Sequence, residues 1–212
     1  MPKVDCFEKN RDQYEEWFEH NRYAYESELE AVKMLLPKEG ERGLEIGVGT
    51  GRFAGPLGIK IGVDPSHAMS DIAMYRGINV YQSFAESLPF DGAIFSHVLL
   101  VTTICFLNNL DTALNEAFRV LKPTGHIIIG FVNRESRIGE NYIKIKDFNV
   151  FYREAKFYSV EEVRHQLEKT GFNNFIYSQT IFQDPFLMKK PDPVKPGHTE
   201  GSFVVIRGQK PA

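Results

Sequence analysis

The chain has 212 residues, enough for one domain with a sizeable core, and its 42% hydrophobic and 25% charged composition excludes the disordered and fibrous classes. Lys and Arg total 25 against 28 Asp and Glu, a net charge of −3, so there is no basic excess to meet a nucleic-acid backbone. Two cysteines, Cys6 and Cys105, point to a reducing, cytoplasmic setting rather than a disulfide framework or a zinc site. Charges interrupt the first residues, and no apolar run reaches membrane-spanning length, so neither a signal peptide nor a membrane partner is expected.

Residues 5–36 are charged and aromatic, with Tyr14, Trp17, Phe18, Tyr23 and Tyr25 followed by Leu29, Val32 and Leu36 at helical spacing. They predict two helices that end at Pro37. From Arg42 the pattern changes to short apolar runs alternating with helical stretches, the signature of an α/β fold with parallel strands covered on both faces. Strands are expected at 43–46, 59–63, 78–81, 94–101 and 126–132, with a short helix after the glycines at 47–51 and longer ones at 66–76 and 111–121. Asp111 is the expected N-cap of the last of these. The segment 133–157 is long and mixed, and reads as a lid. Ser159 and Glu162 form a capping box that opens a helix through Lys169, and Gly171 ends it. A strand at 175–182, a proline-rich surface loop at 183–201 and a final strand at 202–207 complete the order.

The informative stretch is Leu44-Glu45-Ile46-Gly47-Val48-Gly49-Thr50-Gly51-Arg52, a strand running into a glycine-rich turn. Glycines take positive φ and let a ligand approach bare backbone. A dinucleotide fingerprint needs a third glycine where Arg52 stands, and a phosphate-cradling loop needs a Lys after Gly51, so neither pattern is met. Glu45 would repel a pyrophosphate but offset a cation, and Asp64 closes the next strand where a carboxylate accepts from a ribose diol. A nucleoside carrying positive charge fits both.

These residues resemble the class I S-adenosylmethionine-dependent methyltransferases from about Arg42 to Arg207. The likeness rests on the E-x-G-x-G-x-G turn from Glu45 to Gly51, on Gly62-Val63-Asp64-Pro65-Ser66, on Ala85-Glu86-Ser87-Leu88-Pro89-Phe90, and on the helix and turn from Leu114 to Gly125. It implies a Rossmann-like, seven-stranded, mostly parallel sheet with helices on both faces. The expected layout is a single domain: an N-terminal helical cap (1–41), a cofactor-binding core (42–132), the lid-like insertion (133–157) and the C-terminal part of the sheet (158–212). The resemblance further implies that Gly47, Gly49 and Gly51 border the methionine part of S-adenosylmethionine and that Asp64 holds the ribose. Glu45 would support the turn or the amino group, Ala85 and Glu86 would lie along adenine, and Val101 and Thr102 beside the methyl. The chain departs from the pattern at Phe84, where relatives carry Asp, and at Thr124, which replaces a glycine.

Tyr14, Trp17, His20 and Tyr25 are the candidate acceptor contacts, since aromatic groups cage cations and cap methyl donors. No residue is nominated as catalytic and no metal is expected: transfer from an activated sulfonium mainly requires alignment and exclusion of water. The base-methylating Asn/Asp-Pro-Pro-aromatic motif is absent, Val101-Thr102-Thr103-Ile104 standing in its place, and a small-molecule acceptor is the remaining expectation. Two rivals stay open: a cofactor-binding sensor or partner protein without an acceptor, and a nucleotide-dependent oxidoreductase.

Overall fold

The computed structural model describes residues 2–37 and 42–212; Met1 and 38–41, the ends of the expected cap, lie outside the described residues. The N-terminal region forms three helices rather than two: α1 (Pro2–Lys9), α2 (Arg11–His20) and α3 (Arg22–Leu35). Asn10 and Asn21 interrupt them with non-helical ψ values of 33° and 37°, a conformation that asparagine tolerates better than most residues. Strand β1 (Gly43–Ile46) leads to β2 (Ile61–Val63), α4 (His67–Tyr75), β3 (Asn79–Tyr81) and β4 (Phe95–Val101). Then come α5 (Leu110–Val120), β5 (Leu121–Val132), α6 (Arg137–Ile145), α7 (Val160–Thr170), β6 (Asn173–Thr180), β7 (Lys195–Pro196) and β8 (Phe203–Gln209).

The sheet has eight strands in the order β3-β2-β1-β4-β5-β8-β6-β7. The first five pair in parallel, and β8 enters antiparallel between β5 and β6. The additional strand is β7, two residues from the expected proline-rich loop that pair with Ser178 and Gln179 at the sheet edge. Proline there costs little, because an edge strand leaves one side unpaired. Along β4 the side chains alternate as the pleat requires: Val98 and Leu100 join the core under α5 and α7, whereas Leu99 and Val101 face the opposite cluster with Ala31 and Val32 of α3. The sheet is thus covered on both faces.

Other boundaries differ for local reasons. The residues after Gly51 form a run of turns, not a helix: Pro56 has no N–H for the Arg52 carbonyl, which instead accepts the Tyr25 hydroxyl at 2.6 Å. Asn109 caps α5 in place of Asp111, accepting from the Thr112 N–H at 3.0 Å, because the helix begins at Leu110. Around α7 the capping box at Ser159 and Glu162 forms in full, and Gly171 ends the helix at φ 108°. Thr124 holds φ 63°, a conformation that strains a β-branched residue and suits the glycine it replaces.

Candidate active site

The parallel strands β1, β2 and β4 end on one side of the sheet, and a cavity opens there. Gly47 and Gly49 line it with φ of 69° and 53°. Both Gly47 and Val48 donate their N–H to the Val63 carbonyl, at 2.7 and 3.0 Å, which ties the turn to the end of β2. A Cβ at Gly47 would overlap the Thr103 side chain beyond β4. Over Gly49 the Tyr14 hydroxyl stands 3.2 Å from where a Cβ would be.

Asp64 anchors the floor. One carboxylate oxygen accepts from the Gly49 N–H at 2.8 Å and the other from the Ser66 N–H at 2.9 Å. Burial raises its pKa to about 6, the two backbone donors opposing the rise. Glu86, also in the cavity wall, accepts from the N–H groups of Asn108 and Asn109 at 2.8 and 3.1 Å, and so pins the loop that enters α5. Ala85, Val101 and Thr102 complete this part of the wall, with Thr102 at φ 52°.

Two residues of the predicted turn stand elsewhere. Gly51 faces away from the cavity, where a Cβ would press into Ile78 and Ala73, so its bare Cα serves the packing of the turn on the core. Glu45 lies buried beneath the turn, and one of its carboxylate oxygens has no hydrogen-bond partner. Burial pushes its pKa well above the usual carboxylate range, the Ala54 N–H offsetting part of the effect.

Of the aromatic and histidine candidates, Tyr14 reaches the cavity. Trp17 and Tyr25 instead pack edge-on against Phe18 at 5.2 and 5.1 Å, and His20 is exposed at the end of α2. The rest of the roof comes from residues that sequence reasoning did not single out. Phe7 of α1 meets Phe106 at 4.8 Å, Phe151 of the insertion at 5.4 Å and Tyr14 at 5.9 Å. Lys3 donates to the Leu107 carbonyl at 2.6 Å, and Glu8 accepts from the Ser66 hydroxyl at 2.5 Å and from the Ala68 N–H at 3.2 Å. The amphipathic pattern of α1 was the available signal, but no local rule says which surface its apolar face covers.

A second clamp holds α2 against the glycine turn. Glu15 accepts from Thr50 at 2.5 Å, from Arg52 at 2.6 Å and from Arg76 at 2.6 Å. Although burial alone would raise it, these donors hold the Glu15 carboxyl at about 2. Arg52, which stands where a dinucleotide fingerprint would have glycine, therefore fastens the N-terminal helices to the site.

The bare Gly47 and Gly49 backbone, a strand-end carboxylate and an apolar roof suit a nucleoside whose far end is cationic. Phe84 also lines the wall. Comparison with known proteins agrees. A family model for the methyltransferase domain matches residues 44–129. A solved structure from Thermotoga maritima, described as an S-adenosylmethionine-dependent methyltransferase and possible histamine N-methyltransferase, is 50% identical with a TM-score of 0.95, covering 97% of this chain and 99% of that one. An uncharacterized protein of Methanocaldococcus jannaschii is 44% identical over 207 residues, 98% of this chain and 100% of its own length. The demethylmenaquinone methyltransferase of Lactobacillus johnsonii is 27% identical over 180 residues, 69% of this chain and 74% of that protein. By its glycine turn, its strand-end aspartate and these relatives, the chain belongs to the class I S-adenosylmethionine-dependent methyltransferases.

Proposed function

We propose that this methyltransferase acts on a small molecule held under the aromatic roof. The observation that carries the reading is the roof itself: Phe7, Tyr14 and Phe106, from separate parts of the chain, line the cavity with Thr102 and Thr103 at the exit of β4, and Phe151 packs on Phe7 and Tyr14. In this reading Gly47 and Gly49 border the methionine part of the cofactor and Asp64 receives the ribose. Ala85 and Glu86 run along the base with Phe84 stacked on it, and Val101 and Thr102 flank the methyl. Glu45 and Gly51 act from beneath, by shaping the turn. The segment 133–157 serves as a lid through Phe151, and the two free cysteines suit a cytoplasmic setting.

When bound, S-adenosylmethionine supplies a methyl group already activated by its sulfonium. The protein's task is then to exclude water and to align the acceptor with that carbon. The rings of the roof exclude water, and the clamps at Glu8 and Glu15 keep α1 and α2 in place over the site. Proton removal is required only for an acceptor that arrives protonated.

Calorimetric titration with S-adenosylhomocysteine, with NADH and ATP as controls, tests the cofactor assignment. The expected result is micromolar binding of the first compound alone. Absence of that binding in folded protein would remove the basis of the assignment, and NADH binding would revive an oxidoreductase reading.

A further inference from the structure

Tyr14 lies on α2, and three other rings hold its own edge-on: Phe18 at 5.1 Å, Phe7 at 5.9 Å and Phe151 at 6.1 Å. The next residue, Glu15, ties the same turn of the helix to Thr50, Arg52 and Arg76. The ring is thus fixed from several sides, and its hydroxyl points into the cavity over Gly49. Among the described residues that hydroxyl has no hydrogen-bond partner. For the fold alone a phenylalanine would serve at lower cost, because an unpaired O–H among apolar rings loses its bonds to water and gains none.

The donors around it are already committed. In the glycine turn the Gly47 and Val48 N–H groups go to the Val63 carbonyl, that of Gly49 to the Asp64 carboxylate, and that of Gly51 to the Val48 carbonyl at 2.8 Å. In the same cavity wall the Thr103 hydroxyl donates to the Val101 carbonyl at 3.0 Å, and the Lys3 ammonium is engaged at the Leu107 carbonyl. Burial first, and the Asp64 charge next, push the Tyr14 pKa well above its ordinary value, so near neutral pH the group donates a hydrogen bond and does not act as a base. S-adenosylmethionine brings one anionic group, the carboxylate of its amino-acid end, and that end is the part assigned to Gly47 and Gly49. A carboxylate taken out of water needs a donor.

We propose that the Tyr14 hydroxyl binds the cofactor, donating a hydrogen bond to the carboxylate of its amino-acid end over Gly49, and is not the acceptor contact that the sequence suggested. Anchoring that end limits how far the sulfonium can slide along the site, which is what alignment with an acceptor requires. This rests on the methyl-transfer reading above, and deepens it by assigning the residue that recognises one end of the cofactor.

The test is calorimetric titration of wild type and Tyr14→Phe, which keeps the ring and removes the hydroxyl alone. The ligands are S-adenosylhomocysteine, its decarboxylated amine analogue, and 5′-methylthioadenosine, which lacks the whole amino-acid end. Affinity for S-adenosylhomocysteine falls about tenfold or more in the variant, as for a lost hydrogen bond to a charged group. Each truncated ligand binds variant and wild type within about twofold, and the variant without ligand melts at or above the wild-type temperature. The proposal is overturned if Tyr14→Phe keeps its affinity for S-adenosylhomocysteine, or if it melts well below wild type, which would make the hydroxyl structural. It is also overturned if the variant loses affinity for the amine analogue as much as for S-adenosylhomocysteine, which would place the hydroxyl at the ammonium, the ribose or the base. If neither truncated ligand binds wild type, the carboxylate carries the affinity and the loss of S-adenosylhomocysteine binding in Tyr14→Phe decides. Failure of S-adenosylhomocysteine to bind wild type would instead strike the methyl-transfer reading itself.

Discussion

Asp64 has two duties. Its oxygens accept the Gly49 and Ser66 N–H groups, which keeps the glycine turn and the start of α4 in register, and the remaining lone pairs face the cavity. Asp64→Ala is expected to weaken S-adenosylhomocysteine binding by about 1–3 kcal/mol through lost ribose hydrogen bonds. Calorimetry checks this, and an unchanged affinity would refute the ribose assignment. Gly47 and Gly51 carry similar sequence signals yet act on opposite sides of the turn, one under Thr103 and the other against Ile78. Spacing announces that bare backbone is needed, whereas the neighbour that needs it belongs to the tertiary packing.

At the scale of elements, the N-terminal helices divide their work. α3 packs on β5, β6 and β8 and behaves as one of the sheet's covering helices, while α1 and α2 reach over the cavity. The hold of α2 depends on Glu15, shared by Thr50, Arg52 and Arg76. Glu15→Ala takes the shared carboxylate from Arg76 and leaves Arg52 with Glu19 alone, and a loss of about 1–3 kcal/mol in unfolding free energy is expected from denaturant titration. The same variant should release S-adenosylhomocysteine faster, because α2 carries Tyr14 over Gly49. A stability and release rate equal to those of wild type would show that the clamp is idle.

For the whole molecule, the acidic groups set opposing pH dependences. Burial raises Glu28 from 4.5 to about 8 and Asp64 from 3.8 to about 6, so between those values the native state binds more protons than the unfolded chain. Stability therefore falls as pH rises through that window. Glu15 works the other way: held at about 2, it contributes stability above pH 4.5 that is lost as pH falls toward 2. Thermal or denaturant unfolding of wild type and Glu28→Gln from pH 4.5 to 8.5 should show the variant gaining on wild type with rising pH, by roughly 2–4 kcal/mol at the upper end. A constant difference across that range would mean that Glu28 titrates normally.

What the sequence determined by itself was local or periodic. The α/β alternation follows from short apolar runs between helical stretches, and the capping box at Ser159 with its terminal Gly171 needs only neighbouring residues. Likewise Gly47-x-Gly49 after a strand and Asp64 at the end of the next lie within reach of one another in any fold that pairs β1 with β2. Where a boundary moved, the cause was equally small, as at Pro56 and Asn109. Tertiary structure decided the rest. Phe7, Phe106 and Phe151 are far apart in the chain, and no periodicity records that their rings meet; Trp17 and Tyr25 carry the same aromatic signal and pack away from the site. Glu28 reads as one more charge on a charged helix until α3 is laid on the sheet and its carboxyl is buried there. Burial belongs to the folded packing of distant segments, so the groups whose chemistry burial creates are visible only there.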